Sequence, residues 1–388
     1  MTFTIIKKLI LFTATLSFAA NILLAQNVQA AEAAPAPSVA VKAYLLKDLT
    51  SNRTIAELNG DMRVEPASLT KIMTAYLSFK AIKNGHLKLT QTLPVSELAW
   101  KVEGSKMFVE PRIPVTVDEL LHGMIIVSGN DASIALAEGV AGTEAQFATM
   151  MNAEAQRLGM KNTHYVNATG LPDPQHYTTA NDLATISAAL IHDFPEDYAR
   201  LYSAKEFTYN KIKQPNRNRL LFLDPNVDGM KTGHTESAGY CLVASAKRDG
   251  VRHISVVLGA ASDAARASES QKLLNYSYQY FDTTLVYKKG QSVGQPLKVW
   301  KGADDQFASV VEDAFYITLP KGEYANVKAV ISSTQPLIAP IKKGQIVGNV
   351  KFMLNEKVID ERNLVAAKSI ETAGFFGRAW DSMKLMMQ

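Results

Sequence analysis

Cysteine is all but missing from this 388-residue chain. Cys241 stands alone, so no disulfide can form within the chain and its stability must come from packing. Zinc-binding histidine spacings are missing too. None of the seven histidines falls in an HExxH or related pattern, and no glycine-rich run matches a phosphate-cradling loop. This argues against a metal or nucleotide enzyme, and no cofactor is expected. Nor does one sign of charge prevail. The chain carries 41 Lys and Arg against 37 Asp and Glu; without Lys7 and Lys8, 39 face 37, a balance that points to no nucleic-acid partner.

What is present begins with those two lysines, followed by the apolar run "LILFTATLSFAANILLA" and by "VQA" before "AEAAPAPS". A basic start, a short apolar stretch and small residues at a cleavage point predict a secretory signal over residues 1–30, cut after Ala30. An uncleaved anchor helix is the alternative. Residues 31–38 read as an Ala/Pro linker, and the remaining length and apolar content suffice for two or three domains.

"AYLLKDLTSNRTIAELN" predicts two short strands around a Ser-Asn turn, and residues 66–200 read as mostly helical. Within them Thr116 and Glu119 form a candidate capping box, and Asp131 is a candidate cap for "ASIALAEGVA". From about residue 228, "GMKTGHT", "AGYCLVASAKR" and "RHISVVLGA" predict strands, and "SESQKLLNYSYQYF" a helix. Strands at both ends with helices between predict one α+β domain, residues 39–284, whose antiparallel sheet draws on both chain ends. Short strands between Gly, Pro and charged turns predict a small all-β domain over 285–370, with "KKGQSVG" and "KKGQIVG" as one turn used twice.

The tail, residues 371–388, gathers Phe375, Phe376, Ala379, Trp380, Met383, Met386 and Met387 on one helical face. Too short to cross a bilayer, it suits a helix lying in the membrane interface. Docking on the β domain is the alternative.

Three segments carry candidate chemistry. In "EPASLTKIMTAYLSFKAI", residues 65–82, helical spacing places Ser68 and Lys71 on the inward stripe with Ile72, Ala75, Phe79 and Ile82. A buried lysine loses proton affinity and can leave a neutral amine able to take the proton of Ser68; the alternative is a lysine snorkelling to solvent. "VSGNDA" sets Ser128 and Asn130 between helical stretches, where a hydroxyl and an amide can relay a proton and hold a substrate amide, unless it is only a connecting turn. "DGMKTGHT" places Lys231, Thr232 and Gly233 on a strand that can hold a carboxylate beside an extended peptide, unless it too is a simple turn. "TESAG" at 235–239 nearly matches a nucleophile elbow, but it starts with Thr235 and leads into a strand, which excludes it. Cys241, in an alternating apolar segment, reads as a buried inert thiol.

S-x-x-K, S-D-N and K-T-G in this chain order mark class A β-lactamases and penicillin-binding proteins, and here SGN stands for SDN. With "PASLTKIMTAY", "SGNDAS" and "VDGMKTGHTESAGY", the chain resembles the D-alanyl-D-alanine carboxypeptidases among low-molecular-mass penicillin-binding proteins, over essentially its whole length. The resemblance implies a penicillin-binding, β-lactamase-like transpeptidase domain, then the β domain and a C-terminal membrane anchor. It implies a periplasmic protein on the outer face of the cytoplasmic membrane, acting on peptidoglycan stem peptides that end in D-Ala-D-Ala and acylated by β-lactams.

It also implies roles. Ser68 is the nucleophile, Lys71 its general base, Ser128 the proton relay and Asn130 a contact to the substrate amide. Lys231 and Thr232 bind the terminal carboxylate next to Gly233, and Lys231 lowers the proton affinity of Lys71. The backbone N–H groups of Ser68 and His234 form the oxyanion hole, and Arg266, from "ARASES", is a further carboxylate contact. No glutamate after SGN matches that of class A β-lactamases, so a fast β-lactamase is disfavoured. A DD-endopeptidase using the same residues and a non-catalytic penicillin-binding sensor or shape protein are the rival readings.

Overall fold

The computed structural model describes residues 36–387; the expected signal segment 1–30 and linker residues 31–35 lie outside the described residues. Strands β1 (Ala43–Asp48) and β2 (Arg53–Leu58) form the expected hairpin, with Asn52 at φ 63° in the turn. A helical run follows: α1 (Lys71–Lys83), α2 (Val117–Ile126), α3 (Asn130–Ala141), α4 (Glu144–Arg157) and α5 (Ala180–Asp193). The chain then returns as β3 (Val227–Thr235), β4 (Gly239–Arg248) and β5 (Val251–Ala260), closed by α6 (Asp263–Tyr280). All pairings in the sheet are antiparallel, in the order β2-β1-β5-β4-β3, so both ends of the segment build it and β3 is an edge.

Both faces of this sheet are covered. On β5, Ile254, Val256 and Leu258 join the large helical core, while Val257 and Ala260 pack on the other face with Leu273 of α6. Cys241 is buried on β4 and its thiol is pushed up by burial, as expected of an inert core residue. Thr116 and Glu119 form the predicted capping box at the start of α2.

Two local expectations change. The helix bearing Lys71 is buried all round from Lys71 to Phe79, with α2, α3 and α5 packed on it, so no single inward stripe exists there. Its α-helical part begins only at Lys71, because Ala67–Thr70 forms a tighter 3₁₀ turn entered at a left-handed Ala67. Asp131 does not cap α3. It lies buried in the first turn, and its carboxylate accepts from the N–H groups of Met107, Phe108 and Val109 at 3.0, 2.8 and 3.2 Å, fastening that loop over the start of α3.

The β-rich part begins with β6 (Phe281–Tyr287), paired antiparallel to β7 (Phe315–Pro320). Further on, β8 (Lys328–Ser333), β9 (Ile346–Leu354) and β10 (Lys357–Ala366) form an antiparallel sheet. The two Lys-Lys-Gly-Gln turns share one chemistry. In each, the first lysine N–H donates to the glutamine Oε1, at 2.9 Å for Lys288 and 3.1 Å for Lys342, and the glycine takes a positive φ. The chain ends in α7 (Phe375–Met386).

The five-stranded sheet and the β-rich segments meet at Asp48. Fully buried, its carboxylate accepts from the N–H groups of Thr50 (2.6 Å) and Ser51 (3.2 Å), from Thr318 Oγ1 (2.6 Å) on β7 and from the Thr283 hydroxyl on β6. His253 Nε2 lies 3.4 Å away. Burial pushes the carboxyl up, but His253 and the two threonine hydroxyls outweigh it and hold it at about 2. Asp48→Ala leaves these donors unpaired and is expected to cost roughly 2–4 kcal/mol at neutral pH, read by urea denaturation. Because the native carboxyl titrates below its ordinary 3.8, the difference between the proteins should shrink as pH falls from 3.8 towards about 2; a pH-independent difference would contradict this account.

Candidate active site

A cleft of about 310 Å³ opens between the Ala67–Thr70 turn, the start of α3 and edge strand β3. Ser68, Ser128, Thr232, Gly233, His234 and Arg266 line it, while Lys71, Asn130 and Lys231 lie behind them, each bonded to another member. The topology therefore brings all nine predicted residues to one place. Gly233 is where β3 approaches the turn that presents Ser68 most tightly: a Cβ there would come within 3.1 Å of Pro66 O and 3.2 Å of Ala67 Cβ, so a side chain would need a shift of a few tenths of an ångström. Ala67 and Ser128 both hold left-handed backbone, at φ 47° and 64°, a conformation that persists only where packing imposes it.

Lys71 has no exposed surface. Its Nζ lies 2.8 Å from Ser68 Oγ, 2.7 Å from Asn130 Oδ1 and 2.6 Å from Thr169 O. Burial takes the amine from its ordinary 10.5 to about 7; Asp131 opposes, the Arg217 guanidinium adds to the fall, and Glu144 opposes. The snorkelling alternative is thereby excluded.

Lys231 is equally enclosed. Its Nζ donates to Ser128 Oγ at 2.9 Å and to Thr232 O at 3.0 Å. Burial holds it well below the ordinary lysine range, and Lys71, Arg217 and Arg266 add repulsion. Lys71 is one of the charges that lower Lys231, and Arg217 is a repelling cation on both lysines.

Arg266 is buried, donates from Nη1 to Gly233 O at 3.0 Å, pairs with Asp263 and lies 5.6 Å from the centre of the Tyr240 ring. The His234 ring packs 4.0 Å from the same tyrosine. Asn130 is oriented by Nδ2, which donates to Glu103 O at 2.6 Å and so turns Oδ1 towards Lys71.

Sequence reasoning missed Arg217, Ser105, Tyr240 and Asp263 on the cleft and the Thr169 carbonyl behind it. Arg217 had a faint signal. It sits in "PNRN", where Asn216 and Asn218 each accept a backbone N–H two residues on, at 2.9 and 3.1 Å, and so fix the turn that delivers it. The Thr169 contact is made by backbone, which no residue type announces.

A run of Ser277, His253 and Asp48 also exists, with Ser277 Oγ 2.7 Å from His253 Nδ1. All three are buried, and Ser277 Oγ donates to Leu274 O, so this serine has no approach for a substrate.

Residues 28–262 match the D-alanyl-D-alanine carboxypeptidase family, and residues 281–372 match the penicillin-binding protein 5 C-terminal domain. The chain is 46% identical to D-alanyl-D-alanine carboxypeptidase DacC of Escherichia coli (strain K12), over 89% of this chain and 88% of that protein. It is 41% identical to the crystal structure of penicillin binding protein 5 from Haemophilus influenzae, covering 86% of this chain and 98% of that one with a TM-score of 0.83. The ampicillin-bound penicillin-binding protein D2 from Listeria monocytogenes is 30% identical over 63% of this chain and 100% of that one, with a TM-score of 0.58. Together with a serine hydroxyl against a buried amine, these likenesses settle the assignment: the chain belongs to the D-alanyl-D-alanine carboxypeptidase family, as a serine-type, penicillin-binding D-Ala-D-Ala carboxypeptidase.

Proposed function

We propose that Ser68 is the acylated nucleophile and Lys71 its general base in removing the terminal D-alanine from peptidoglycan stem pentapeptides. The observation that carries this reading is the 2.8 Å contact between Ser68 Oγ and a lysine amine with no exposed surface. The neutral amine takes the hydroxyl proton as Oγ attacks the penultimate carbonyl carbon, and the N–H groups of Ser68 and His234 meet the oxygen as it becomes negative. Ser128, bonded to Lys231, passes a proton to the departing amine of D-alanine. The remaining ester on Ser68 is then hydrolysed by water.

Lys231, Thr232 and Arg266 receive the substrate carboxylate, with Gly233 letting the peptide lie against β3. A carboxylate arriving among Lys231, Arg217 and Arg266 raises the proton affinity of Lys231 and so favours its charged form. Asn130 holds the substrate amide. β-Lactams present the same carbonyl and carboxylate and acylate Ser68.

The domain plan proposed with this reading is a signal at 1–30, a linker at 31–38, a catalytic domain at 39–284, a β-rich domain at 285–370 and an anchor at 371–388. Among the described residues no helix is long and apolar enough to cross a membrane. Helix α7 leaves its apolar face outward, with Phe376 and Met386 exposed to 87% and 88%, while Asp381 accepts from the Lys301 N–H at 2.6 Å. A polar tether behind an open apolar face supports a peripheral site on the periplasmic side of the cytoplasmic membrane.

Ser68→Ala should lose labelling by a fluorescent penicillin and D-alanine release from a pentapeptide ending in D-Ala-D-Ala; persistent labelling would remove Ser68 from its role. Native acylation should climb through about pH 7 as Lys71 loses its proton, and fall below it; a rate that stays flat between about pH 5.5 and 9 would contradict the base. Deleting residues 371–388 should release the protein from sedimenting membranes, whereas unchanged sedimentation counts against the anchor.

A further inference from the structure

The three neighbours of Lys71 Nζ do more than surround it. Asn130 Oδ1 and Thr169 O can only accept hydrogen bonds, and a neutral amine has two N–H groups and one lone pair. With both N–H groups taken, the lone pair has one direction left, towards Ser68 Oγ at 2.8 Å. Rotating the amine by a third of a turn would aim the lone pair at an oxygen lone pair instead. The base is thus aimed by two oxygens, one on Asn130 and one on the backbone of a loop outside all three sequence motifs.

One side chain makes four of the hydrogen bonds that shape that loop. Asn167 Oδ1 accepts from Thr169 N (3.1 Å), Thr169 Oγ1 (2.9 Å) and Gly170 N (2.7 Å), while its Nδ2 donates to Leu171 O at 3.1 Å. Gly170, at φ 82°, lies so close to the nucleophile turn that a Cβ there would fall 1.8 Å from Ala67 O. One flank is pinned separately: Ala168 N donates to Glu144 Oε1 at 2.9 Å, and Thr74 Oγ1 donates to Ala168 O at 2.7 Å. Beyond Ala168, Asn167 is the side chain that takes the N–H groups on both sides of Thr169 Cα, including that of the peptide whose carbonyl meets Lys71, while Thr169 Oγ1 accepts from Leu171 N at 3.2 Å.

We propose that Asn167 is a positioning residue for the acyl-transfer reaction: it touches neither Ser68 nor the cleft, but orients the Thr169 carbonyl that points the lone pair of Lys71 at the Ser68 hydroxyl. This rests on the reading of Lys71 as base. The same carbonyl also stabilises the protonated amine, so its displacement lowers the proton affinity of Lys71. The charged and titratable groups that act on this amine are Asp131 of α3, Glu144 of α4, Arg217, and, in the same enclosure, Lys231 and His176.

The test follows Ser68 acylation by benzylpenicillin with time-resolved mass spectrometry of the full chain across pH, for native protein, Asn167→Ala, Asn167→Asp and Lys71→Ala. Melting temperature and near-ultraviolet circular dichroism report whether each variant is folded. Asn167→Ala should lower the saturating acylation rate about tenfold or more, a part of the ~10²–10⁴ that a general base supplies, leave the half-saturating penicillin concentration near native, and move the acid limb to lower pH. Asn167→Asp keeps the accepting oxygens, so its plateau should return to within about threefold of native, with the acid limb moved to higher pH by the added charge. A native plateau and limb in Asn167→Ala would overturn the proposal. So would an Asn167→Asp that is folded but loses about tenfold or more at its plateau, and this variant decides the matter if the alanine form does not fold. Native-rate acylation by Lys71→Ala would instead remove the base itself, an outcome distinct from either.

Discussion

An amine buried without an ionic partner of its own is the constraint on which the rest of the site depends. Water is excluded from Lys71 by a helix packed on every side, and that exclusion is what brings its proton affinity to about 7. A lysine at the ordinary value would be charged at neutral pH and could not accept a proton. Among the charges that act on it, Arg217 favours the neutral form while Asp131 and Glu144 oppose it, so burial decides the sign. The left-handed turn at Ala67, the side-chain-free positions Gly170 and Gly233, and the loop fastened by Asp131 all serve to close protein around this one atom while leaving Ser68 open to the cleft.

The same enclosure explains the division between the two lysines. Lys71 faces Ser68 and acceptor oxygens, whereas Lys231 faces Ser128 and the guanidinium groups of Arg217 and Arg266. A low proton affinity suits a base at the first position, and at the second it makes the cation responsive to an incoming carboxylate. Two lysines of identical chemistry are thus separated by surroundings alone.

Much of this was legible in the sequence, for identifiable reasons. The sheet strands could be read because apolar residues run through "GYCLVASA" and "HISVVLGA" on both faces, and the capping box of Thr116 and Glu119 states a helix start directly. Seven of the nine candidate residues were found because their types carry chemistry and their motifs keep chain order; His234 and Arg266 came only from the family resemblance. What escaped is backbone. The Thr169 carbonyl, the positive φ at Ala67 and Ser128, and the capture of three loop N–H groups by Asp131 depend on chain geometry that no local pattern records. Arg217 escaped for another reason: it belongs to none of the three motifs, and only tertiary folding sets its guanidinium on Val127 O beside the SGN segment.

The central claim is that Lys71 is a neutral amine near physiological pH because protein, and not a partner charge, surrounds it. Direct titration of its side chain by nuclear magnetic resonance, with ¹³Cε-labelled lysine and the Lys71 signal assigned by its absence in Lys71→Arg, tests this without reference to any reaction. The account predicts a midpoint at about 7; a Lys71 signal that titrates at the ordinary 10.5 would contradict it.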